Sequence, residues 1–509
     1  MIKIFKQSSY FHVLLLTVLS LIFYREVFTM QPWKDDYALF YNLQQKIPFQ
    51  YPYQHLVRLH DPFYQFFGIA PLGYFVLGIV CLIISAILFY VLSYRLLSKK
   101  VLAFIAGIFY IISPVGVESI LFLMTFATVY FSLCLFLSAL ILMHIYSEKK
   151  SFIYYVVALA LLTTSFIFIP YRSFSFILPT MMFDFMIVRK EKKWIKSFTV
   201  RQAVLIIIGF VSFYIYPKYL LPQDLRYPIE NATPLLRNIL DYNFLANPFL
   251  TSINTIFGSF AYPFKQNFTF NGDLVHYTLL IGTILFILYI VRRFKKDKHV
   301  PLFLFSVAYV YIIALSYYGF LQREISSASQ RYMQVALPGF ALFMILIYMY
   351  LVKIFPKNKI VPLTFLLINI GINVYANQSY ISDFNTRASY SIQFYSQLKQ
   401  LVPHLKKNAP IYIEPENDPR IKYRLTDSYR GGHYDERAAF ASHYHMKMED
   451  VSIVYNTMED LVGYIKNKPE LLESIIGLRY DSFGLHDITG DVREKIKQAI
   501  IEKNGQGNL

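Results

Sequence analysis

The segment Gln31–Gln45 reads QPWKDDYALFYNLQQ, and the interpretation of the whole chain depends on it. Two adjacent acids, Asp35 and Asp36, follow the first long apolar segment by a few residues. Adjacent carboxylates at a membrane boundary are costly unless they face water, a cation or a reacting group. The apolar residues from Tyr37 to Leu43 have the spacing of a short amphipathic helix, which we expect to lie flat on the membrane surface.

The composition is typical of a polytopic membrane protein. Of the 509 residues, 56% are hydrophobic, and the mean hydropathy of +0.41 is too high for an ordinary soluble domain. A membrane helix needs about 20 mostly apolar residues. About eleven spans are predicted, at residues 10–29, 71–94, 101–117, 120–146, 152–169, 173–188, 201–219, 275–291, 300–318, 334–352 and 360–376. An odd number of spans places the two termini on opposite sides of the membrane.

The distribution of charge predicts the orientation in the cell membrane. Residues 1–376 contain 32 Lys and Arg against 14 Asp and Glu, whereas residues 377–509 contain 17 and 18. The positive excess therefore lies in short loops between apolar segments, which argues against nucleic acid as a partner. By the positive-inside rule these loops and the N-terminus are cytoplasmic, beside anionic membrane lipids. The C-terminal region is then extracytoplasmic.

Two domains are expected on this basis. Residues 1–376 form the membrane domain, with external loops at 30–70, 220–274 and 319–333. Residues 377–509 alternate between helical and strand patterns, which predicts a small α/β domain on the outer face. The predicted elements are helices at 389–407, 458–466, 469–474 and 491–503, strands at 411–414, 451–455 and 475–480, and a polar loop up to residue 446.

The acids of the external loops are the candidate catalytic groups. Asp35 fits the N-cap of the helix that begins near Tyr37, which would explain one acid and leave Asp36 unexplained. A carboxylate here could accept a proton from a hydroxyl group or hold a cation. Glu118, in the turn after Ser113-Pro114, and Asp61 are candidates for a second acid, with a plain surface charge as the alternative.

The basic candidates lie in two of the same loops. Arg331 precedes a late apolar helix in SASQRYMQVALPGF, where a guanidinium can bind a lipid phosphate through two N–H groups. The alternative is an anchor that contacts ordinary headgroups. Arg58 and Arg323 are further candidates for the phosphate, although Arg323 can also pair with Glu324. Three neighbouring residues are expected to line the same cavity: Lys34, His60 and Tyr332.

The sequence predicts neither a resident metal nor a cofactor. His55, His60 and Asp61 could ligate a divalent cation, but such spacing in a loop is common by chance. The two cysteines, Cys81 and Cys134, lie inside apolar segments and indicate neither a disulfide nor a metal site. A divalent cation therefore stays an alternative to the metal-free site.

On these features the chain resembles the GT-C superfamily of integral membrane glycosyltransferases. The likeness is closest to the branch with the protein O-mannosyltransferases and the lipid A aminoarabinose transferases. The shared features are an acidic motif after the first helix, a flat helix behind it, a proline at the end of the third helix, and an outer C-terminal domain. The motifs that carry the likeness are Trp33-Lys34-Asp35-Asp36-Tyr37, Ser113-Pro114 and Arg331-Tyr332. The likeness covers residues 1–376 as architecture.

The resemblance implies inverting transfer of a sugar, in the manner of a hexosyltransferase, from a polyprenyl-phosphate donor to an envelope acceptor. Asp35 or Asp36 would be the general base, and Arg331 with Arg58 and Arg323 would hold the donor phosphate. The chemistry is consistent, because a carboxylate can deprotonate the acceptor while fixed cations stabilise the leaving phosphate. No obvious D-x-D motif occurs, which argues against a metal-dependent oligosaccharyltransferase type of site.

Two other classes of protein fit parts of the sequence. A transporter or lipid flippase could use the external acids for ion coupling, but such proteins usually show inverted repeats and ionisable residues near the membrane midplane. Here the predicted spans carry few charges, and the polar residues collect at one interface. A non-catalytic envelope scaffold, with its C-terminal domain bound to a cell-wall partner, is the third interpretation. The position of the charges favours chemistry at the membrane surface.

Overall fold

The computed structural model describes residues 7–33, 35–47, 55–189, 194–223, 252, 274–321, 331–414 and 433–505, and helices dominate it. The α-helices are α1 (Gln7–Phe23), α2 (Asp35–Gln45), α3 (His55–Phe67), α4 (Leu72–Leu97), α5 (Lys100–Ile112), α6 (Glu118–Leu121), α7 (Leu123–Lys149), α8 (Phe152–Phe168), α9 (Pro170–Ser173), α10 (Ile177–Val188), α11 (Trp194–Phe210), α12 (Leu274–Arg293), α13 (Val300–Leu321), α14 (Leu337–Ile354), α15 (Ile360–Leu401), α16 (His433–Tyr444), α17 (Met458–Asn467) and α18 (Thr489–Gly505). A π-helix, Val211–Leu220, continues α11. The 3₁₀ segments are Arg25–Thr29, Phe174–Phe176, Arg331–Ala336, Met448–Asp450 and Pro469–Ser474.

The apolar helices support the assignment to membrane proteins. Among the described residues, 6 helices are long and apolar enough to cross a membrane: Leu72–Leu97, Leu123–Lys149, Trp194–Leu220, Val300–Tyr317, Arg331–Ile354 and Ile360–Leu401. Shorter apolar helices are Ser9–Phe23, Lys100–Ile112, Phe152–Phe168 and Phe174–Val188. The prediction of a helical membrane protein is therefore confirmed, and a helix occupies every predicted span. The number of eleven crossings stays a prediction.

Helices α4 and α7 pack closely against each other. A Cβ atom at Gly78 of α4 would overlap the ring of Phe126 of α7, so the two helices are in close contact at this glycine. Small residues commonly mark such contacts, because apolar lipid leaves van der Waals packing as the main attraction between membrane helices. About three turns further along α4, the ring of Phe89 stacks on that of Tyr110 of α5 at 4.9 Å.

A buried ion pair joins α10 to α11. Arg201 Nη1 lies 2.6 Å from Asp184 Oδ1, and Gln202 Nε2 donates a hydrogen bond to Asp184 Oδ2 at 2.9 Å. Both charged side chains are almost completely buried, at 5% and 0% exposure. Because each charge compensates the other in a medium of low dielectric constant, breaking the pair would leave an expensive lone charge. Removal of either partner alone would therefore destabilise the hairpin of these two helices.

Helix α15 crosses the predicted domain boundary at residue 376 without a break. The helix expected at 389–407 is present as far as Leu401, but it is the continuation of α15 and not a separate helix. No proline or glycine occurs between Gly371 and this end, so nothing in the backbone interrupts the helix. The buried Asn377 donates a hydrogen bond to the carbonyl of Ser113 at 2.9 Å. The division of the chain into two domains stays a prediction.

The C-terminal region contains a four-stranded sheet in the order β2-β1-β3-β4. Its strands are β1 (Ile411–Glu414), β2 (Val454–Tyr455), β3 (Ile476–Asp481) and β4 (Gly484–Asp487). Strand β1 pairs in parallel with β2 and β3, and β4 is antiparallel to β3. Strand β1 has its predicted bounds, and β3 is shifted by one residue from its prediction. Strand β2 lies inside its predicted range. Strand β4 was missed, and the expected polar loop contains α16.

Helix α2 lies beneath this C-terminal region. Residues Asp36–Leu43 are buried, and α2 contacts α3, α7 and α16. The ring of Tyr37 lies 5.5 Å from that of His443, and the hydroxyl of Tyr41 accepts a hydrogen bond from the backbone N–H of Met448 at 2.9 Å. The protein itself therefore covers this helix. Its expected flat position on the membrane surface stays a prediction.

Candidate active site

The two adjacent acids of α2 have different surroundings, and Asp36 faces the protein interior. Its Oδ2 accepts hydrogen bonds from the backbone N–H groups of Trp33 at 3.1 Å and Leu123 at 3.3 Å. Its Oδ1 accepts one from the N–H of Met124 at 3.0 Å. Since α7 begins at Leu123, this carboxyl caps that helix as well as its own, where the helix dipole favours negative charge. The capping residue is thus Asp36 and not Asp35.

The interior position changes the acidity of Asp36. Burial raises its pKa to about 7, with Asp35 adding to the rise, while the three backbone N–H groups act in the opposite direction. The side chain has 0% exposure, so it has no open face toward a ligand. This environment suits a group that holds two helix ends together.

Asp35 faces another segment and forms an ion pair with Arg331, 296 residues further along the chain. The distance between Arg331 Nη1 and Asp35 Oδ2 is 2.7 Å, and the two side chains remain 22% and 30% exposed respectively. The guanidinium also lies 4.8 Å from the centre of the Phe122 ring, in a cation–π contact. A short, charge-assisted hydrogen bond is therefore accessible from outside the protein.

Side chains from two other parts of the chain fix the backbone of Arg331. Glu118 Oε2 accepts a hydrogen bond from its N–H at 3.0 Å. Its carbonyl accepts hydrogen bonds from Ser119 Oγ and from Arg172 Nη1, each at 2.6 Å. The ring of Tyr332 lies 5.3 Å from the guanidinium of Arg172 and 5.6 Å from that of Arg331. These contacts hold the Arg331 guanidinium in place before any ligand binds.

Two acids and two arginines thus meet here, and we refer to Asp35, Glu118, Arg172 and Arg331 as the charge cluster. Arg172 was not among the sequence candidates. It is completely buried at the break between α8 and α10, next to Pro170. An arginine at a proline-containing break between two apolar segments was the signal that could have identified it.

A glycine allows the two main segments of the site to approach each other. Gly116 has a φ of +67°, and a Cβ atom there would overlap the backbone of Gln334. The turn after α5 therefore lies directly against the 3₁₀ segment that begins at Arg331. Only glycine adopts this backbone conformation at no steric cost and leaves this space open.

Replacing Gly116 by Ala is expected to destabilise the protein by roughly 2–4 kcal/mol, because the new methyl group meets backbone atoms and the positive φ strains the residue. The melting temperature of the purified protein measures the effect. The control is Gly371→Ala in α15, where a Cβ atom has nothing within 4 Å. Equal melting temperatures for the two variants would contradict the close approach at Gly116.

The remaining candidates of the first loop lie on α3. Arg58 is exposed and forms no hydrogen bond or ion pair with another described residue. Asp61 Oδ2 accepts a hydrogen bond from Gln65 Nε2 at 3.1 Å. Burial lowers the pKa of His60 to about 4, and its Nδ1 lies 2.7 Å from the carbonyl of Leu56, so the ring is neutral with its proton on Nδ1. Within the described part of the chain, no contact links these candidates to the charge cluster.

Two candidates, Lys34 and Arg323, lie outside the described residues, and the side chain of His55 is not described either. Among the residues that are described, no group of three His, Cys, Asp or Glu side chains is arranged to hold a metal ion. The expectation of a site without a metal or cofactor stays a prediction.

Comparison with known proteins gives a distant structural likeness. No family model matches the chain, and no curated protein sequence matches it significantly. Similar solved structures include the oligosaccharyltransferase AglB from Archaeoglobus fulgidus, in complex with an inhibitory peptide and a dolichol-phosphate, and ArnT from Cupriavidus metallidurans, bound to undecaprenyl phosphate.

Both similar structures are membrane glycosyltransferases of the GT-C superfamily, which the sequence motifs resemble. AglB is 12% identical, with a TM-score of 0.44 over 93% of this chain and 69% of that chain. ArnT is 10% identical, with a TM-score of 0.42 over 92% of this chain and 93% of that chain. Because both TM-scores lie below 0.5, the function of this chain has to be inferred from its own residues.

Proposed function

We propose that the protein is a membrane glycosyltransferase that moves a sugar from a polyprenyl-phosphate donor to an envelope acceptor. The observation that carries this proposal is the partly exposed ion pair between Asp35 and Arg331. Transfer from a phosphate donor needs a proton acceptor for the incoming hydroxyl and a cation for the leaving phosphate. This pair supplies both groups within 2.7 Å of each other, in a chain of apolar helices.

Asp35 is the proposed general base, and Asp36 has a structural role. A general base has to reach the proton that it removes. Asp35 is 30% exposed, whereas Asp36 has 0% exposure and both of its oxygens accept backbone hydrogen bonds. The choice between the two acids, which the sequence leaves open, therefore falls on Asp35.

Arg331 is the proposed phosphate ligand, and the ion pair connects its role to that of the base. A donor phosphate and Asp35 are both oxygen anions, so they compete for the same guanidinium N–H groups. Arrival of the phosphate would free the Asp35 oxygen that Arg331 contacts in the unliganded protein. The donor would then bind before the acceptor is deprotonated, which limits unproductive reaction.

In the proposed step, the acceptor oxygen attacks the anomeric carbon of the sugar from the side opposite the phosphate. A new bond forms between these two atoms, and the bond from the anomeric carbon to the phosphate oxygen breaks. The hydroxyl proton passes to Asp35, and the phosphate departs with the bonding electrons, stabilised by Arg331. Glu118 and Arg172 act as positioning residues, since they hold the backbone of Arg331. Attack from the opposite side inverts the anomeric centre.

Incubation of the purified protein with labelled polyprenyl-phosphate sugars tests this function. The reaction mixture contains envelope material as the source of acceptor, and we expect release of polyprenyl phosphate with the label recovered in a new product. The Asp35→Asn variant provides the background. Absence of transfer from every sugar of the panel, together with ion-dependent uptake into proteoliposomes, would favour the transporter interpretation instead.

Replacing Arg331 by Ala is expected to raise the apparent KM for the donor roughly tenfold to a hundredfold, because a hydrogen bond to a charged group contributes about 1.5–3 kcal/mol. The KM for the acceptor should change much less. Arg331→Lys keeps the positive charge but cannot form the bidentate hydrogen bonds of a guanidinium. A donor KM between those of the wild-type protein and Arg331→Ala is therefore expected. Steady-state kinetics with the donor varied give these values. A donor KM unchanged in both variants would indicate an interfacial anchor.

A further inference from the structure

A cavity of about 800 Å³ lies at the far end of the helix bundle from the charge cluster. Helix α7 connects the two places, because Leu123 at its start binds Asp36 and Glu148 near its end lines the cavity. At a rise of 1.5 Å per residue, the helix separates these residues by roughly 37 Å. This distance is close to the thickness of a bilayer, so the cavity lies at the opposite membrane face.

Basic residues dominate the lining of this cavity. Its fully charged lining residues are Arg95, Glu148, Lys150, Arg189 and Lys298. The single acid is already paired, since Arg95 Nη1 lies 2.9 Å from Glu148 Oε2. Arg189 and Lys298 are exposed and form no ion pair with another residue that the structure describes. Among the residues that the structure describes, the lining of the cavity therefore carries an excess of positive charge.

An apolar groove of about 850 Å³ continues from this cavity along α10, α12 and α13. Met186, Arg189 and Pro301 line both the cavity and the groove, so the two spaces share a border. Beyond that border the lining is almost entirely apolar, with Phe185 and Ile287 among its side chains. The combined space is cationic at the membrane boundary and apolar along the helices.

We infer that this combined site binds one anionic phospholipid of the adjacent leaflet. The phosphate would lie between Arg189 and Lys298, and the acyl chains would follow the groove. A guanidinium matches the oxygens of a phosphate, and basic pockets between membrane helices at the cytoplasmic side are suited to anionic headgroups. A zwitterionic lipid would bring its own cation among the lysines and arginines. A water-soluble phosphate has no acyl chains, so it would leave the apolar groove without a ligand.

Native mass spectrometry of the detergent-purified protein, with phosphatidylglycerol or phosphatidylcholine added, tests the headgroup contact. We expect bound phosphatidylglycerol on the wild-type protein and at least tenfold less on the variant R189Q/K298Q. The matched control, K357Q/K359Q, removes two exposed cations between α14 and α15 that line neither space. Equal retention of phosphatidylglycerol by both variants, each with an unchanged melting temperature, would overturn the proposal.

The fluorescence of Trp194 tests the groove, because its ring lies 5.8 Å from that of the groove residue Phe185. Phosphatidylglycerol with brominated acyl chains should quench Trp194 in a saturable way at low mole fraction in nanodiscs. The other tryptophan, Trp33, is buried beside the charge cluster and gives a constant background. Equal quenching by brominated phosphatidylcholine, or full displacement of the lipid by soluble glycerol phosphate, would contradict the proposed site.

Discussion

Replacing Asp35 by Asn is expected to lower the rate of sugar transfer by roughly 10²–10⁴-fold, the usual contribution of a positioned general base. The amide has nearly the shape of the carboxyl and can still accept a hydrogen bond from Arg331, but it cannot take a proton from the acceptor hydroxyl. Because the side chain is 30% exposed, its change leaves the helix ends around Asp36 intact. Activity should therefore fall without a change in folding.

Single-turnover assays with a labelled polyprenyl-phosphate sugar measure this loss, and the melting temperature confirms that the fold is retained. Asp61→Asn is a matched control, because Asp61 lies on α3 and has Gln65 as its hydrogen-bond partner. That variant should transfer sugar at nearly the rate of the wild-type protein. Full activity of Asp35→Asn would show that another group removes the proton.

Replacing Asp36 by Ala is expected to act on stability, with a loss of roughly 3 kcal/mol or more. Three backbone N–H groups would lose their acceptor: the buried ones of Trp33 and Leu123 and the partly buried one of Met124. Each unsatisfied buried donor costs about 1–3 kcal/mol. The starts of α2 and α7 would also lose the acid that joins them. We therefore expect a low yield and a markedly lower melting temperature.

Thermal unfolding in detergent compares this variant with Asp35→Ala, which removes a partly exposed ion pair. A surface pair of this kind contributes about 1 kcal/mol or less, so Asp35→Ala should melt near the wild-type temperature. The opposite pattern, in which Asp36→Ala is stable and inactive, would assign the catalytic role to Asp36 and make Asp35 the structural acid.

The class of protein and the position of its helices follow from local patterns in the sequence. In lipid the backbone has to satisfy its own hydrogen bonds, and a helix is one of the few structures that does so. Long apolar segments bounded by basic clusters can therefore be identified as membrane helices from the sequence alone. The same applies to strands β1 and β3, which are short apolar runs between polar residues. Asp35, Asp36, Glu118 and Arg331 could also be selected as candidates from the sequence, since charged residues beside apolar segments are rare without a function.

The roles of these residues could not be read from the sequence, because they depend on contacts between distant segments. Asp35 and Asp36 are neighbours of the same type, and their difference arises because one meets Arg331 and the other meets the start of α7. Arg172 became apparent through its hydrogen bond to a carbonyl 159 residues away. Hydrogen bonds and burial between remote segments have no local periodicity, so they exist only once the helices have packed together.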